Sequence, residues 1–212
     1  MGTEGKKDRK LVTKFRELEI PVTLSLVSII LLIYIGQLVS ALLLEEPIPV
    51  LVSYLFVEYT AVAWILSPLL HYGGLHFIFN FVVIWGIGAV VEQTLSRKKY
   101  ILFIILAAVG STIGAYLAKI PFVADQIIAY GSSGIAYALA TYSITIASKK
   151  SVSRIRDLAS IRIIACLAGI VAVLIVAYDV LTGPYFTAEW FNGSHLGGAV
   201  IGLIAGRLLN SK

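Results

Sequence analysis

The sequence predicts an all-α, polytopic membrane protein, a six-transmembrane-helix bundle with both termini on the cytoplasmic side. Three observations carry that prediction. Of the 212 residues 58% are hydrophobic, and the mean hydropathy is +0.91. Charged residues make up only 14%, against roughly 25% in a soluble domain. The apolar residues gather into six segments, with the charges clustered between them.

The first segment runs from Ile20 to Leu44 and has only Ser, Thr and Gln as polar interruptions. The second runs from Leu75 to Val91, the third from Tyr100 to Ala118, the fourth from Ser133 to Ala147, the fifth from Ile161 to Leu181 and the sixth from His195 to Leu209. The second, fourth and sixth are short for a span, which takes about 20 residues. Between the first and second, Pro49–Leu70 is apolar but broken by Glu58, Trp64 and Pro68. It reads as a long connection lying partly at the membrane interface, where Trp and Tyr are favoured.

Charge sets the orientation. All of the 17 Lys and Arg except Lys119 fall in the N-terminal tail, between segments two and three, around the connection from four to five, or at the C-terminus. The positive-inside rule places those four regions in the cytoplasm. An even number of spans agrees with two termini on one side. Residues 1–18 form a basic cytoplasmic tail, and residues 19–210 the transmembrane domain. The tail lacks the apolar stretch of a cleavable signal peptide, which favours a prokaryotic plasma membrane. Topology accounts for the basic balance, so no nucleic-acid partner is implied. Cys166, the single cysteine, sits in an apolar run as a packing residue and excludes an intrachain disulfide. The loop Thr182–Ser194, rich in turn formers and aromatics, lies outside, either over a site or at headgroup level.

The three histidines, His71, His76 and His195, lie at or near the outer starts of short segments. Ionisable groups at membrane depth are costly and mark function. His76 and Asn80 are four apart and share a helix face; interfacial hydrogen bonding is the plain alternative. In the sixth segment Gly198, Gly202 and Gly206 repeat every four residues, and the fourth carries Gly134 and Ala138 at the same spacing. Such stripes let helices approach backbone to backbone. That packing sets Ser133, at the top of one helix, beside His195, at the top of the other. A Ser within hydrogen-bond reach of a His is the minimal activated nucleophile. Ser133 to Ser148 spans about 23 Å as a helix, less than the roughly 30 Å hydrocarbon core. Ser133 is therefore recessed below the outer surface.

With these residues in place, the chain resembles the rhomboid family of intramembrane serine proteases over roughly residues 20–210. The motifs are His71-x4-His76-x3-Asn80, Gly131-Ser132-Ser133-Gly134 and His195-x-Gly197-Gly198-x3-Gly202. Each is weak alone; the three in order, on the outer side, are specific. The resemblance implies a rhomboid-like bundle and a Ser133–His195 dyad without a required carboxylate. It implies that Ser132 is the variable residue of the motif. It further implies an oxyanion hole of His76, Asn80 and the Ser133 backbone N–H, with Tyr137, His71, Gly131, Gly134, Gly198 and Gly202 in support. Glu92 resembles a structural acid of the family. The Trp-Arg pair of many members has only Trp64-Ile65 as a counterpart. Asp179 has no implied role.

The implied activity is cleavage of transmembrane or juxtamembrane segments of other membrane proteins, within membrane lipid and without metal or cofactor. A catalytically inactive relative that binds client helices is the alternative, though such relatives usually lack the Ser or the His. A transporter would have no need of Gly-x-Ser-Gly beside a His. Substrate identity, the gate that admits it and the oligomeric state are not legible.

Overall fold

A computed structural model describes residues 20–46, 66–71, 73–119, 130–147 and 193–209. The fifth segment, the loop Thr182–Asn192, Trp64, Cys166 and Asp179 lie outside the described residues, as does the N-terminal tail. Among the described residues the structure is helical throughout, without strands. The helices are α1 (Pro21–Leu44), α2 (Gly74–Glu92), α3 (Arg97–Lys119), α4 (Ser133–Ala147) and α5 (Gly193–Leu208), with a 3₁₀ turn at Ser67–Leu69. Three of them, α1, α2 and α3, are long and apolar enough to cross a membrane.

The burial pattern shows how these helices sit. In α1 the buried residues are Thr23, Val27, Ile30 and Tyr34, a single stripe of helical period. Leu24, Leu32, Ile35, Leu42 and Leu43 point outward. In α2 Phe77, Asn80, Ile84, Ile87 and Val91 make the matching inward stripe, while Ile78, Val82 and Trp85 face out. Outward faces this apolar are surfaces for lipid rather than water. By contrast α4 is buried on all sides over its first two turns, from Ser133 through Ala140. It is the central helix, with α2 and α5 packed against it and α3 against α5.

Two features fix the ends. Pro21 opens α1, where a missing N–H costs nothing, but Ile20 supplies no side-chain cap. The cap comes from another helix. The buried carboxylate of Glu92, at the end of α2, accepts the Val22 N–H at 2.9 Å and the Thr23 N–H at 2.8 Å. A negative group at a helix N-terminus satisfies orphan donors and complements the dipole. Beside it Thr23 Oγ1 and the Tyr100 hydroxyl are 3.0 Å apart, which ties α3 to the same corner.

Glycine brings the helices at the site together. A methyl group on Gly198 would run into the Gly134 backbone, and one on Gly202 into the Ala138 carbonyl and Thr141. The opposite face of α5 is as close to α3, where Gly114 meets Gly193 and Gly197, and Gly197 meets Gly110. Thus α5 is wedged between two helices, each at backbone contact. The sequence reading identified the first stripe and missed the second, although Gly110-x3-Gly114 is itself a small-residue motif. Thr141 Oγ1 also donates to the Ala199 carbonyl at 2.9 Å, a bond across the α4–α5 seam.

Candidate active site

Ser133 is the first residue of α4, so its N–H has no carbonyl one turn back within the helix. Its hydroxyl and His195 Nε2 are 2.8 Å apart. His195 stands on the first turn of α5, which begins at Gly193, two residues ahead of the apolar boundary. The Tyr137 ring, one turn below Ser133, stacks on the imidazole with centroids 4.3 Å apart and planes 29° off parallel. The serine hydroxyl and the aromatic ring together hold the histidine in one orientation.

His76 and Asn80 sit on successive turns of α2. Asn80 is buried, and among the described residues its side-chain Nδ2 finds no acceptor. A buried amide donor left without a partner is expensive, so each such group calls for an explanation. His76 lies against Gly131, where φ is +116°. That backbone region suits glycine, and a side chain there would also collide with the His76 ring. Gly131 therefore lets the chain turn into α4 directly beside α2.

His71 precedes α2, as it precedes the apolar boundary at Leu75, and the extended backbone at Gly73 sets the helix start at Gly74. The His71 side chain is fully buried. Its Nε2 is 3.0 Å from the Ser132 hydroxyl, and its Nδ1 is 3.2 Å from the Leu69 carbonyl. Burial, and then the neighbouring His76, lower the His71 pKa from 6.5 to about 4. The ring is thus neutral near pH 7. A carbonyl only accepts, so Nδ1 carries the proton and Nε2 accepts from Ser132.

The two adjacent serines therefore have different histidines: Ser133 has His195 and Ser132 has His71. Two participants escaped the sequence reading. One is the Ser132–His71 pair. The other is Gln37 on α1, whose amide donates to the His71 carbonyl at 2.8 Å and accepts its N–H at 3.0 Å. A glutamine deep in an apolar span was the available signal. Among the described residues no group of three or more His, Cys, Asp or Glu is placed to hold a metal ion. The arrangement offers a hydroxyl with a base at hydrogen-bond distance and a helix N-terminus at the same point.

Comparison with known proteins bears on this geometry. Residues 58–212 match the model of the Rhomboid domain family. The chain is also 27% identical over 196 residues to the rhomboid protease GlpG of Haemophilus influenzae, covering 90% of this chain and 91% of that one.

Proposed function

Because this chain belongs to the rhomboid family, and is an integral, multi-pass membrane protein, we propose that it is an intramembrane serine endopeptidase. Its substrates are transmembrane proteins, cut in or beside their membrane-spanning segments. The observation that carries the reading is the 2.8 Å approach of Ser133 Oγ to His195 Nε2, with Tyr137 stacked on the ring.

The chemistry follows from those positions. Ser133 Oγ attacks the scissile carbonyl carbon while His195 Nε2 takes the hydroxyl proton. The carbonyl π electrons move onto oxygen. The resulting oxyanion is received by the Ser133 N–H at the positive end of α4, by Asn80 Nδ2 and by His76. Collapse breaks the C–N bond, and His195 returns its proton to the departing amine. Water, deprotonated by the same histidine, then releases the acyl group from Ser133. The resemblance implies no required carboxylate, and stacking on Tyr137 helps to orient the imidazole.

We read the bundle as six spanning helices with both ends in the cytoplasm, a basic tail over residues 1–18, and a site that opens on the extracytoplasmic side. The distribution of Lys and Arg supports this topology. The bacterial relative supports a prokaryotic plasma membrane.

The test uses the purified full-length protein and a single-span substrate, with a fluorophosphonate probe as second readout. Wild type cleaves and is labelled at Ser133. Ser133→Ala and His195→Ala lose at least about 10³-fold in rate, and Ser132→Ala retains measurable cleavage. Equal cleavage by wild type and Ser133→Ala, or labelling at Ser132, sinks the assignment. A wild type that binds substrate helices but never cleaves them or reacts with the probe points to a non-proteolytic binder.

A further inference from the structure

We propose that Gln37, His71 and Ser132 form a positioning relay that holds the turn carrying Ser133 in register with His195, and so makes α1 part of the machinery that sets nucleophile geometry. The inference rests on Ser133 being the nucleophile.

The first observation is that Ser132 does not do what a serine at its position usually does. Its carbonyl accepts the Ala136 N–H at 3.0 Å, which makes it the N-cap residue of α4. An N-cap serine normally turns its hydroxyl back to an N–H of the first turn. Here the hydroxyl goes instead to His71 Nε2 at 3.0 Å. Ser132 and His71 are both 0% exposed. A pair so enclosed is beyond reach of a substrate carbonyl, so Ser132 is a positioning residue.

The second observation is that His71 is itself held. The Gln37 amide grips the His71 peptide at both its N–H and its carbonyl. The ring is fixed at its other nitrogen by the Leu69 carbonyl. This histidine cannot rotate without breaking buried hydrogen bonds, and partly satisfied polar networks are costly.

The third is that the turn is pinned twice. The Gly131 N–H donates to the Ser67 carbonyl at 2.8 Å, one residue before the Ser132 bond. Two consecutive residues are thereby tied to the 67–71 segment, and the next residue is Ser133. A shift at Ser132 passes directly to the Ser133 hydroxyl and to its N–H. Catalytic geometry tolerates little of this: a misplacement of about 1 Å can cost 10²-fold in rate.

The experiment measures kcat, KM, fluorophosphonate inactivation rate and thermal midpoint on the full-length protein, below the unfolding range of every variant. Ser132→Ala and Gln37→Leu are each expected to lower kcat and inactivation rate about fivefold to tenfold, with KM changed less than about twofold. The double variant is expected to be no slower than the worse single one, because both break the same chain of contacts. Ser132→Cys, which keeps a small donor, falls between Ser132→Ala and wild type. Glu92→Gln, destabilised at a remote corner, keeps its kcat and separates stability from positioning. Ser132→Ala alone decides the matter where Gln37→Leu does not fold. A wild-type kcat in Ser132→Ala, a change confined to KM, or an equal kcat loss in Glu92→Gln overturns the relay. If Ser133→Ala still cleaves and labels, the nucleophile assignment fails, and the relay with it. If Ser133→Ala is dead while Ser132→Ala is unimpaired, only the relay fails.

Discussion

Two neighbouring hydroxyls, one carbon skeleton apart in sequence, differ entirely in surroundings. Ser133 faces a partly buried histidine on a stacking ring. Ser132 is sealed against another histidine. Identical side chains acquire different surroundings because adjacent residues at the start of α4 project in different directions, one toward His71 and one toward His195. Asn80 is the other informative residue. Its Nδ2 is a donor without a partner among the described residues. Asn80→Ala should therefore cost catalysis more than stability. We expect kcat to fall about 10²–10³-fold, with the thermal midpoint unchanged or slightly raised, since an unsatisfied buried donor disappears. Steady-state kinetics with parallel thermal melts checks both halves, and a lowered midpoint at full kcat contradicts this use of Asn80.

At the scale of elements, the glycine seams do the positioning. Gly198 and Gly36 make a controlled pair, because both lie within helices and both can receive a single methyl. A methyl on Gly36 meets nothing within 4 Å; Gly36→Ala should stabilise by up to about 1 kcal/mol through helix propensity. The same change at Gly198 enters the Gly134 backbone. It should destabilise by about 1–3 kcal/mol and reduce cleavage far more than Gly36→Ala, by pushing His195 away from Ser133. Melts and rates on the two variants test the opposite signs. Glu92→Gln should lower stability by about 1.5–3 kcal/mol, the worth of charge-assisted bonds to the α1 N-terminus, read as a lowered midpoint.

The elements also show what was legible. The start of the span at Ser133 agrees with the sequence boundary, because a Gly-Ser turn precedes it. By contrast α3 begins at Arg97, not at Tyr100. Hydropathy stops at charge, whereas a helix continues through Arg and Lys whose long side chains reach back to water. The facing of Ser133 and His195 was legible through the glycine repeat. The Gln37–His71 clamp was not, because its partners stand 34 residues apart and no periodicity links them.

For the whole molecule, the outward apolar residues of the described helices face lipid, and the lopsided basic charge of the sequence supports the proposed orientation. Cysteine accessibility tests the proposed orientation. Cys166 is the single native thiol, so Cys166→Ala supplies a blank background. In intact cells, a membrane-impermeant maleimide should label Glu189→Cys but leave Lys7→Cys and Ser211→Cys unlabelled until the membrane is opened. The reverse pattern refutes both-ends-inside. A mechanical consequence concerns α1 and α2. They are joined at one end by the Glu92 carboxylate on Val22 and Thr23, while nearer its other end α1 holds, through the Gln37 amide, His71 of the segment that leads into α2. Fastened at both places, the pair resists shearing and peeling alike. Pulled from the N-terminus by a cantilever, these two helices should leave the bilayer in a single force peak, and Glu92→Gln should split that peak in two.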